Sequence, residues 1–377
     1  MRIGIITLPL HTNYGGILQA YALKSTLETL GYSPEVIDIS RKVRLPSIWK
    51  RPLVYMKRIA INAVTFGHGP EVFRERRIIR EFPTVSSNIA GFVSERIAPR
   101  IIEDYKNISV GDYDSLVVGS DQVWRPKYFA NVEDAFLKFA IGWDIRRVAY
   151  AASFGTDQLE YSYECLEACS TLLKSFDAVS VREKDAVSMC DEWFDRSDAV
   201  HVLDPVMLLS SKDYSRLADR SSQRPCKGKI LSYILDQDSV KSSVLARVET
   251  WMDKESYKAY INDRDPKIPL QERVVPSVEE WLSCFEDAEF VVTDSFHGCV
   301  LSILFHKPFI VVGNKVRGIS RIESLLEMFS LQQRMVNGLD PDDDGEYYLS
   351  PMDWDAVDVV LEEQKEKSLN FLKVAFK

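Results

Sequence analysis

The sequence is poor in the features that identify metal centres, disulfide scaffolds and membrane spans. Its six cysteines include no C-x-x-C pair, and its five histidines include no H-x-x-x-H pair. We therefore expect no zinc site and no disulfide framework, which favours a reducing compartment. No apolar run approaches the roughly 20 residues that a membrane span needs. With a net charge of −9, the chain is also a poor candidate for general nucleic-acid binding.

The amino-terminal residues lack the pattern of a secretory signal. The apolar segment from Ile3 to Leu8 is too short, and it leads into His-Thr-Asn-Tyr-Gly-Gly instead of a small-residue cleavage site. We therefore expect a cytoplasmic protein. At 377 residues the chain is too long for one compact core, so we predict two domains of ordinary size.

Apolar strand-like runs alternate with helical patterns along the chain, which is typical of α/β folds with parallel sheets. A polar linker near residues 210–227 divides this pattern, and we place the domain boundary there. We predict Rossmann-like domains over 1–210 and 226–350, and a helix over 351–377 that packs back on the first domain. The turn after the first strand is not G-x-G-x-x-G, so the dinucleotide-binding fingerprint is absent.

One β-α-β unit, from residue 289 to residue 314, combines a buried strand with reactive side chains. The strand ends at Asp294 and Ser295, and a helical pattern starts beside His297 and Gly298. In open α/β sheets, ligands bind at the carboxyl ends of strands, where a helix start favours an anion. A histidine beside a glycine there indicates a reactive group that another molecule can approach closely. The alternative is that the two polar residues cap the helix and the histidine fills a gap.

Other strands of the first half also end in polar residues. A glycine in such a turn permits close approach of a ligand, and an arginine suits an anionic substrate. The alternatives are a tight turn and a surface ion pair, and the repeated position at strand ends makes us favour function. The residues at these strand ends are Asn13, Tyr14, Gly15, Asp121, Gln122 and Arg182.

Residues 41–80 carry a net positive charge, opposite in sign to that of the whole chain. This segment contains eleven lysines and arginines but only two acidic residues, Glu71 and Glu75. Apolar residues, Trp49 among them, recur near helical spacing within this segment, which predicts a helical insertion at about 41–82. A basic amphipathic helix of this kind can lie on an anionic membrane surface. The alternative is a helical hairpin whose basic face is simply solvated.

Five stretches, in this order, resemble the polysaccharide pyruvyl transferase family: NYGGILQAYAL, VVGSDQVW, VSVREK, LDPV and TDSFHG. The resemblance runs from residue 1 to about residue 329. It implies two Rossmann-like domains that face each other across a cleft, as in GT-B glycosyltransferases, with the acceptor on the first domain and the donor mainly on the second. It also implies transfer of a pyruvyl group from phosphoenolpyruvate to hydroxyls of a sugar, as a ketal, without a further cofactor.

The resemblance assigns roles to individual residues. The family's histidine matches His297, and its donor-binding arginine matches Arg182. We expect His297 to be the catalytic acid or base, with Asp294 orienting it or the helix start. Family members have an arginine two residues before the histidine, where this chain has Ser295.

The phosphate or carboxylate contact of that arginine is therefore either missing or supplied from elsewhere, and Lys315, Arg317 and Arg321 are the nearest cations in sequence. The predicted substrate-binding residues are Arg182, Ser295, Gly298, Asn13, Tyr14, Gly15, Asp121, Gln122 and Arg317. We predict no metal ligand. The expected partners are phosphoenolpyruvate and a saccharide, free or lipid-linked, with peripheral contact to the inner membrane through 41–80. Two other functions fit the same sequence: a GT-B glycosyltransferase that uses a nucleotide sugar, and a non-catalytic carbohydrate-binding relative.

Overall fold

A computed structural model describes residues 1–39, 47–66, 68–129, 131–314, 318–340 and 342–377. Within these residues the chain forms two parallel β-sheets, one of seven strands and one of five, with helices between successive strands. This architecture confirms the predicted α/β fold class. None of the helices in the described ranges combines the length and apolar character that a membrane span requires.

The elements follow one another in a largely regular alternation. The amino-terminal sheet contains β1 (Arg2–Ile6), β2 (Ser33–Ile39), β3 (Arg100–Ile102), β4 (Ser115–Val118), β5 (Arg146–Ala152), β6 (Ala178–Val181) and β7 (Val200–His201). The carboxyl-terminal sheet contains β8 (Ile230–Tyr233), β9 (Ser256–Lys258), β10 (Phe290–Thr293), β11 (Phe309–Val312) and β12 (Met335–Val336). The α-helices are α1 (Tyr14–Thr29), α2 (Arg51–Val64), α3 (Arg74–Val85), α4 (Ser87–Phe92), α5 (Tyr163–Leu173), α6 (Lys184–Phe194), α7 (Ser211–Ala218), α8 (Ser239–Met252), α9 (Val278–Asp287), α10 (Phe296–Leu304), α11 (Ser320–Met328), α12 (Glu346–Leu349) and α13 (Trp354–Ala375).

The strand order of each sheet determines where a ligand can bind. The amino-terminal sheet has the order β3-β2-β1-β4-β5-β6-β7, so the winding direction reverses between β1 and β4. The carboxyl-terminal sheet has the order β12-β11-β10-β8-β9, and its winding reverses between β8 and β10. In doubly wound sheets, a crevice opens at the carboxyl ends of the strands at such a reversal. Each sheet therefore presents one ligand-binding crevice.

The β10–α10 unit is enclosed on all sides. Every residue of β10 is buried, and the strand pairs in parallel with β8 on one side and β11 on the other. A strand that is covered on both faces favours a continuous β-branched and aromatic run, which explains its sequence Phe-Val-Val-Thr. All nine residues of α10 are buried as well. A helix that is apolar on all faces is stable only in such an interior position.

The carboxyl-terminal helix α13 packs against the amino-terminal half of the molecule. The Ser368 hydroxyl accepts a hydrogen bond of 3.0 Å from the backbone N–H of Leu203. Near the end of the helix, Arg146 donates to the carbonyl of Ala375 at 2.8 Å. These contacts tie the end of the chain to the sheet in which it began.

The basic segment contains two helices, α2 and α3, within its described part. Arg58 of α2 makes a bidentate salt bridge to Glu75 of α3, with distances of 2.8 and 2.6 Å. Bidentate arginine–carboxylate pairs combine charge with fixed geometry, so this pair sets how the two helices meet. Arg41, Lys42 and Arg44 lie outside the described residues.

Candidate active site

The crevices of the two sheets open into one shared pocket. Its walls come from the loops after β1 and β4 on one side, and from the ends of β8, β10 and β11 together with α10 and α11 on the other. Most of the lining side chains are polar. The residues of the lining are Asn13, Gly15, Asp121, Gln122, Tyr233, Leu235, Asp294, Ser295, Phe296, His297, Asn314, Gly318, Arg321 and Ile322.

His297 reaches from the first turn of α10 to the first turn of α1 in the other half of the molecule. A Cβ atom added to Gly15 would lie 2.0 Å from the His297 Nδ1 atom, so a side chain at that position would displace the ring. The Nε2 atom lies 3.7 Å from Asp204 Oδ2, and within the described residues it has no hydrogen-bond partner. The imidazole is therefore held at the junction of the two sheets with one nitrogen available for chemistry.

The surroundings of His297 favour its neutral form. Burial has the largest influence and lowers the pKa of the imidazole below its usual 6.5. Asp204 and Asp121 raise this pKa, whereas Arg182 and Arg321 lower it, and the net direction is downward. Near neutral pH the ring is therefore ready to accept a proton, as a general base requires.

Arg182, at the end of β6, is a buried cation whose position is set by its contacts. Its Nη1 atom donates to Asp204 Oδ2 at 2.9 Å and to the Ser120 hydroxyl at 3.4 Å. Its guanidinium carbon lies 4.4 Å from the ring centroid of Phe296, a cation–π distance. Within the described residues, Arg182 Nε and Nη2 have no hydrogen-bond partner. Asp121 Oδ1 lies 3.9 Å from Nη2 and Glu183 Oε1 lies 3.9 Å from Nε, so carboxylates surround the guanidinium. Arg182 is not among the residues that line the pocket.

Asp204 connects the histidine and the arginine, although our sequence analysis did not select it. Besides Arg182 and His297, its carboxylate accepts hydrogen bonds from Ser120 Oγ at 2.9 Å and from the N–H of Val206 at 3.0 Å. Burial would raise the pKa of Asp204, but His297, Arg182 and these bonds lower it overall. The carboxylate is therefore ionised, and the signal that could have identified it was its place in the LDPV stretch.

Arg321 brings a second cation into the pocket from α11. Its guanidinium carbon lies 6.0 Å from the Phe296 centroid, so both arginines border the same aromatic ring. Burial and the neighbouring Arg182 lower the pKa of Arg321 to about 10, which leaves it protonated at neutral pH. Arg317, which we predicted to bind substrate, and Lys315 lie outside the described residues.

Asp294 lines the pocket, but its carboxylate is occupied by other groups. It accepts hydrogen bonds from the N–H groups of Leu235 and Asp236, at 2.6 and 3.1 Å, and from Asn314 Nδ2 at 2.9 Å. Lys241 Nζ lies 3.0 Å from the same carboxylate. Asp294 therefore joins the ends of β8, β10 and β11. The carboxylate beside the imidazole is Asp204, not Asp294, so Asp294 does not orient His297 as we expected in one alternative. The other alternative, that Asp294 orients the start of α10, stays a prediction.

The amino-terminal wall of the pocket carries the predicted amide and carboxylate side chains. Asp121 has a left-handed backbone conformation with φ of +72°, which aspartate tolerates better than most residues. Its carboxylate accepts from Gln122 N at 2.9 Å and from Asn13 Nδ2 at 3.4 Å. The Gln122 side chain packs on Gly155 and accepts from Arg125 Nη1 at 3.0 Å. Asn13, Asp121 and Gln122 thus form one polar surface at the carboxyl ends of β1 and β4.

Ser295 lies in the pocket wall and also caps helix α10. It lines the pocket, and its hydroxyl caps α10 by accepting from the N–H of Gly298 at 3.4 Å. Gly298 itself lies outside the pocket lining. A Cβ atom there would lie 2.3 Å from Thr293 Oγ1, so glycine is needed for packing of α10 on β10. The structure thus gives Gly298 a packing role, and its predicted role in substrate binding stays a prediction.

Tyr14 is also absent from the pocket lining, contrary to our prediction. Its ring stacks on Trp281 of α9 with centroids 4.7 Å apart, and its hydroxyl donates to the carbonyl of Pro276 at 2.7 Å. Burial raises the pKa of this phenol well above its usual value. The side chain holds the start of α1 against the carboxyl-terminal half of the molecule and does not face a substrate.

In the ranges that the structure describes, no group of three or more His, Cys, Asp or Glu side chains is arranged to hold a metal ion. The site and its surroundings contain a histidine, two arginines and several carboxylates. Such a set can bind an anion and transfer a proton.

Two parallel sheets that share one cleft give the α/β architecture of the GT-B type. A family model for polysaccharide pyruvyl transferase matches residues 13–316, which is more than half of the chain. The protein belongs to the polysaccharide pyruvyl transferase family. The family resemblance that we drew from five short stretches is confirmed.

Solved structures are similar to this chain at low sequence identity. The Arabidopsis thaliana protein UGT89C1, complexed with UDP-L-rhamnose, is 11% identical with a TM-score of 0.50, and the match covers 98% of each chain. The UDP-GlcNAc 2-epimerase of Neisseria meningitidis, bound to UDP-GlcNAc, is 12% identical with a TM-score of 0.47, and the match covers 97% of this chain and 100% of that one. The first likeness shows the fold alone. No match was found among curated proteins.

Proposed function

We propose that the protein transfers the pyruvyl group of phosphoenolpyruvate to two hydroxyls of a saccharide and forms a pyruvate ketal. Membership of the family supports a pyruvyl transferase that acts in polysaccharide biosynthesis. The observation that carries the proposal is that His297 and Arg321 line one pocket between the two sheets, and that Arg182 stacks on Phe296, which belongs to the same lining. No cofactor beyond the donor substrate is part of the proposal.

The donor needs cations and N–H groups, because phosphoenolpyruvate carries a phosphate and a carboxylate. Arg321 lines the pocket, and behind Phe296, Arg182 has two buried N–H groups without a hydrogen-bond partner among the described residues. The first backbone N–H groups of α10 have no acceptor within the helix, and its dipole favours a negative charge. These groups together supply what the arginine replaced by Ser295 would have provided.

The reaction begins when the methylene carbon of phosphoenolpyruvate takes a proton from solvent, which leaves an oxocarbenium-like centre at its C2 atom. His297 later returns to solvent the proton that it accepts in the next step, so the protons balance. A saccharide hydroxyl adds to C2 and gives its proton to the neutral His297. A second hydroxyl then bonds to C2 while the C–O bond to phosphate breaks, and phosphate leaves with the second proton. Asp204, 3.7 Å from Nε2, stabilises the imidazolium that forms.

The acceptor occupies the amino-terminal side of the pocket in this proposal. Asn13, Asp121 and Gln122 present an amide, a carboxylate and an amide, which are suited to hold sugar hydroxyls. The acceptor is a polysaccharide or its lipid-linked precursor. A lipid-linked acceptor is supported by the basic segment at 41–80, which suits peripheral contact with the inner face of a membrane.

Phosphate release from phosphoenolpyruvate, measured across a panel of saccharides and lipid-linked glycans, tests the proposal. We expect release with a matching acceptor, and a loss of about 10²- to 10⁴-fold in His297→Ala, the range that general acid–base catalysis contributes. His306→Ala is the matched control, because His306 stacks on Trp354 and pairs with Asp358 at the surface. Circular dichroism and thermal unfolding check that both variants are folded.

Three results would contradict the proposal. Wild-type turnover in His297→Ala would remove this residue from the mechanism. Binding of a nucleotide sugar, with no phosphate release from phosphoenolpyruvate, would favour a glycosyltransferase. Saccharide binding without turnover of either donor would indicate a non-catalytic carbohydrate-binding protein.

A further inference from the structure

Helix α2 turns its apolar side toward solvent. Trp49, in the turn before the helix, lies on the same face as Leu53, Met56 and Val64 when residues advance by 100° along the helix. The exposed fractions of these four side chains are 87%, 67%, 57% and 79%. Ile59, at the edge of this face, is 54% exposed. None of the 14 residues of α2 is buried, so this apolar face is unpartnered within the described chain.

The opposite side of α2 packs against neighbouring residues of the same chain. Arg58 makes its bidentate salt bridge to Glu75, and Asn62 Nδ2 donates to the carbonyl of Pro70 at 2.8 Å. Tyr55 packs edge-on against Phe73 of the loop before α3, with centroids 4.9 Å apart. Because polar and aromatic contacts fix this inner side, the outward direction of the apolar face is set by the structure.

Exposed cations flank the apolar face. Lys50, Lys57 and Arg74 are exposed, and no salt bridge is found for them in the described parts of the chain. The glutamates between residues 47 and 80 are instead paired with Arg58 and Arg77. In a protein of net charge −9, this face is therefore locally positive.

We propose that this face of α2, which we name the docking face, binds an anionic phospholipid bilayer. It consists of Trp49, Lys50, Leu53, Met56, Lys57, Ile59 and Val64. Its apolar side chains enter the boundary between headgroups and acyl chains, and its lysines pair with lipid phosphates. A tryptophan is well suited to that boundary, because its ring is apolar and its N–H needs a polar partner.

The charges favour a lipid surface over a second copy of the chain. A symmetric dimer would bring identical surfaces together, so the lysines of both copies would approach one another and repel. An anionic bilayer has negatively charged headgroups above an apolar layer. The headgroups can pair with the lysines of the face, and the apolar layer can accept its apolar side chains. The docking face therefore matches the bilayer in charge as well as in hydrophobicity.

The helix pair is connected to the rim of the active-site pocket. At the end of α3, the ring of Phe82 packs edge-on against His11, with centroids 6.0 Å apart. Asn13, two residues later, lines the pocket. Docking would thus place the acceptor side of the pocket near the membrane, which deepens the proposed function by favouring a lipid-linked saccharide. The preference for a lipid-linked saccharide rests on the proposed pyruvyl transfer, whereas the binding of the docking face to a bilayer does not.

Flotation with lipid vesicles tests the docking face in the full-length protein. We expect binding to vesicles of phosphatidylglycerol mixed with phosphatidylcholine, and little binding to phosphatidylcholine alone. The double variant L53E/M56E should bind at least about tenfold more weakly, because it removes apolar burial and adds repulsion. The variant K50E/K57E should weaken binding and reduce its sensitivity to salt. The matched control is Val359→Glu on α13, a side chain that is 70% exposed, and it should bind as the wild type does.

The proposal is overturned if the wild type does not bind the anionic vesicles, or if L53E/M56E binds them as well as the wild type. Self-association that this double variant abolishes, without vesicle binding by the wild type, would assign the face to a second copy of the chain. Phosphate release with a water-soluble acceptor should be the same in L53E/M56E and the wild type. Failure of docking and failure of pyruvyl transfer are therefore distinguishable.

Discussion

Helices α10 and α2 are both rich in apolar residues, but they have opposite environments. All nine residues of α10 are buried, and none of the 14 residues of α2 is. Helix α10 follows β10 directly inside a parallel sheet, so neighbouring strands and helices cover every face of it. Helix α2 belongs to an insertion outside both sheets and is held by one polar side. Connectivity to the sheets, more than apolar composition, determines which helix enters the core.

The charged residues near the two helices also differ in their burial. Beside α10, the buried ions are paired, as Asp294 is with Lys241 and Arg182 with Asp204. Beside α2, Lys50 and Lys57 are exposed to solvent. An unpaired charge is costly in the interior and almost free at the surface. Substitutions near α10 should therefore have large effects on stability or turnover, and substitutions on α2 should have small ones.

The largest effect is expected for Asp294→Ala at the start of α10. The change removes the acceptor for the N–H groups of Leu235 and Asp236 and leaves buried Lys241 without this partner. We expect the free energy of unfolding to fall by about 3 kcal/mol in chemical denaturation. The exposed residue Asp144 supplies the control, since Asp144→Ala should change stability by less than about 0.5 kcal/mol. Equal losses in both variants would contradict the stabilising role of Asp294.

The next effect concerns the contact between α10 and α1. In Gly15→Ala, the new Cβ atom would lie 2.0 Å from His297 Nδ1, so the imidazole must move. We expect turnover to fall about 100-fold, because small misplacement of a catalytic group has costs of this size. The matched variant is Gly91→Ala, where no heavy atom lies within 4 Å of the added Cβ, and its turnover should be unchanged. Phosphate release measures both, and normal turnover in Gly15→Ala would show that the imidazole is not held there.

The pH dependence of turnover should reveal the buried position of His297. Because burial lowers its pKa below 6.5, the basic form persists below that pH, and kcat/KM falls only when the pH drops through the lowered value. Asp204 raises the pKa of His297, so Asp204→Asn should move this acid limb to still lower pH. Asp358→Asn, which affects only the surface His306, should leave the profile unchanged. Movement of the limb to higher pH in Asp204→Asn would contradict the arrangement.

The smallest effect on stability is expected on α2. Leu53 is 67% exposed, so Leu53→Ala removes little buried apolar surface. We expect the free energy of unfolding to change by less than about 0.5 kcal/mol in chemical denaturation. A loss above about 1 kcal/mol would mean that this side chain packs against another part of the protein, and it would weaken the contrast with α10.

Much of the site could be predicted from the sequence, because parallel strands bring their carboxyl ends to one edge of a sheet. Asn13, Asp121 and His297 each follow a strand with an apolar, β-branched pattern, and all three line the pocket. No long-range contact had to be known to place them there. The periodicity of the chain was sufficient to indicate the edge at which they would meet.

The residues that we misplaced or missed depend on contacts between distant segments. Tyr14 follows β1 as Asn13 does, but the position of α9 decides that its ring stacks on Trp281. Gly298 is required by the Thr293 side chain, and Asp204 lies beside Arg182 and His297 only because β6 and α10 bring these residues to it. Local sequence carries no measure of such distances.

The sequence by itself determined the alternation of strands and helices, the helix start at Ser295 and the family to which the chain belongs. These properties follow from local propensities, capping and short motifs, which act within one segment of the chain. Only the tertiary structure decided that Asp204 is the carboxylate beside His297 and that the apolar face of α2 points outward. Both depend on how separate segments pack, because the burial of a residue and the pairing of its charge are set by contacts with distant parts of the chain.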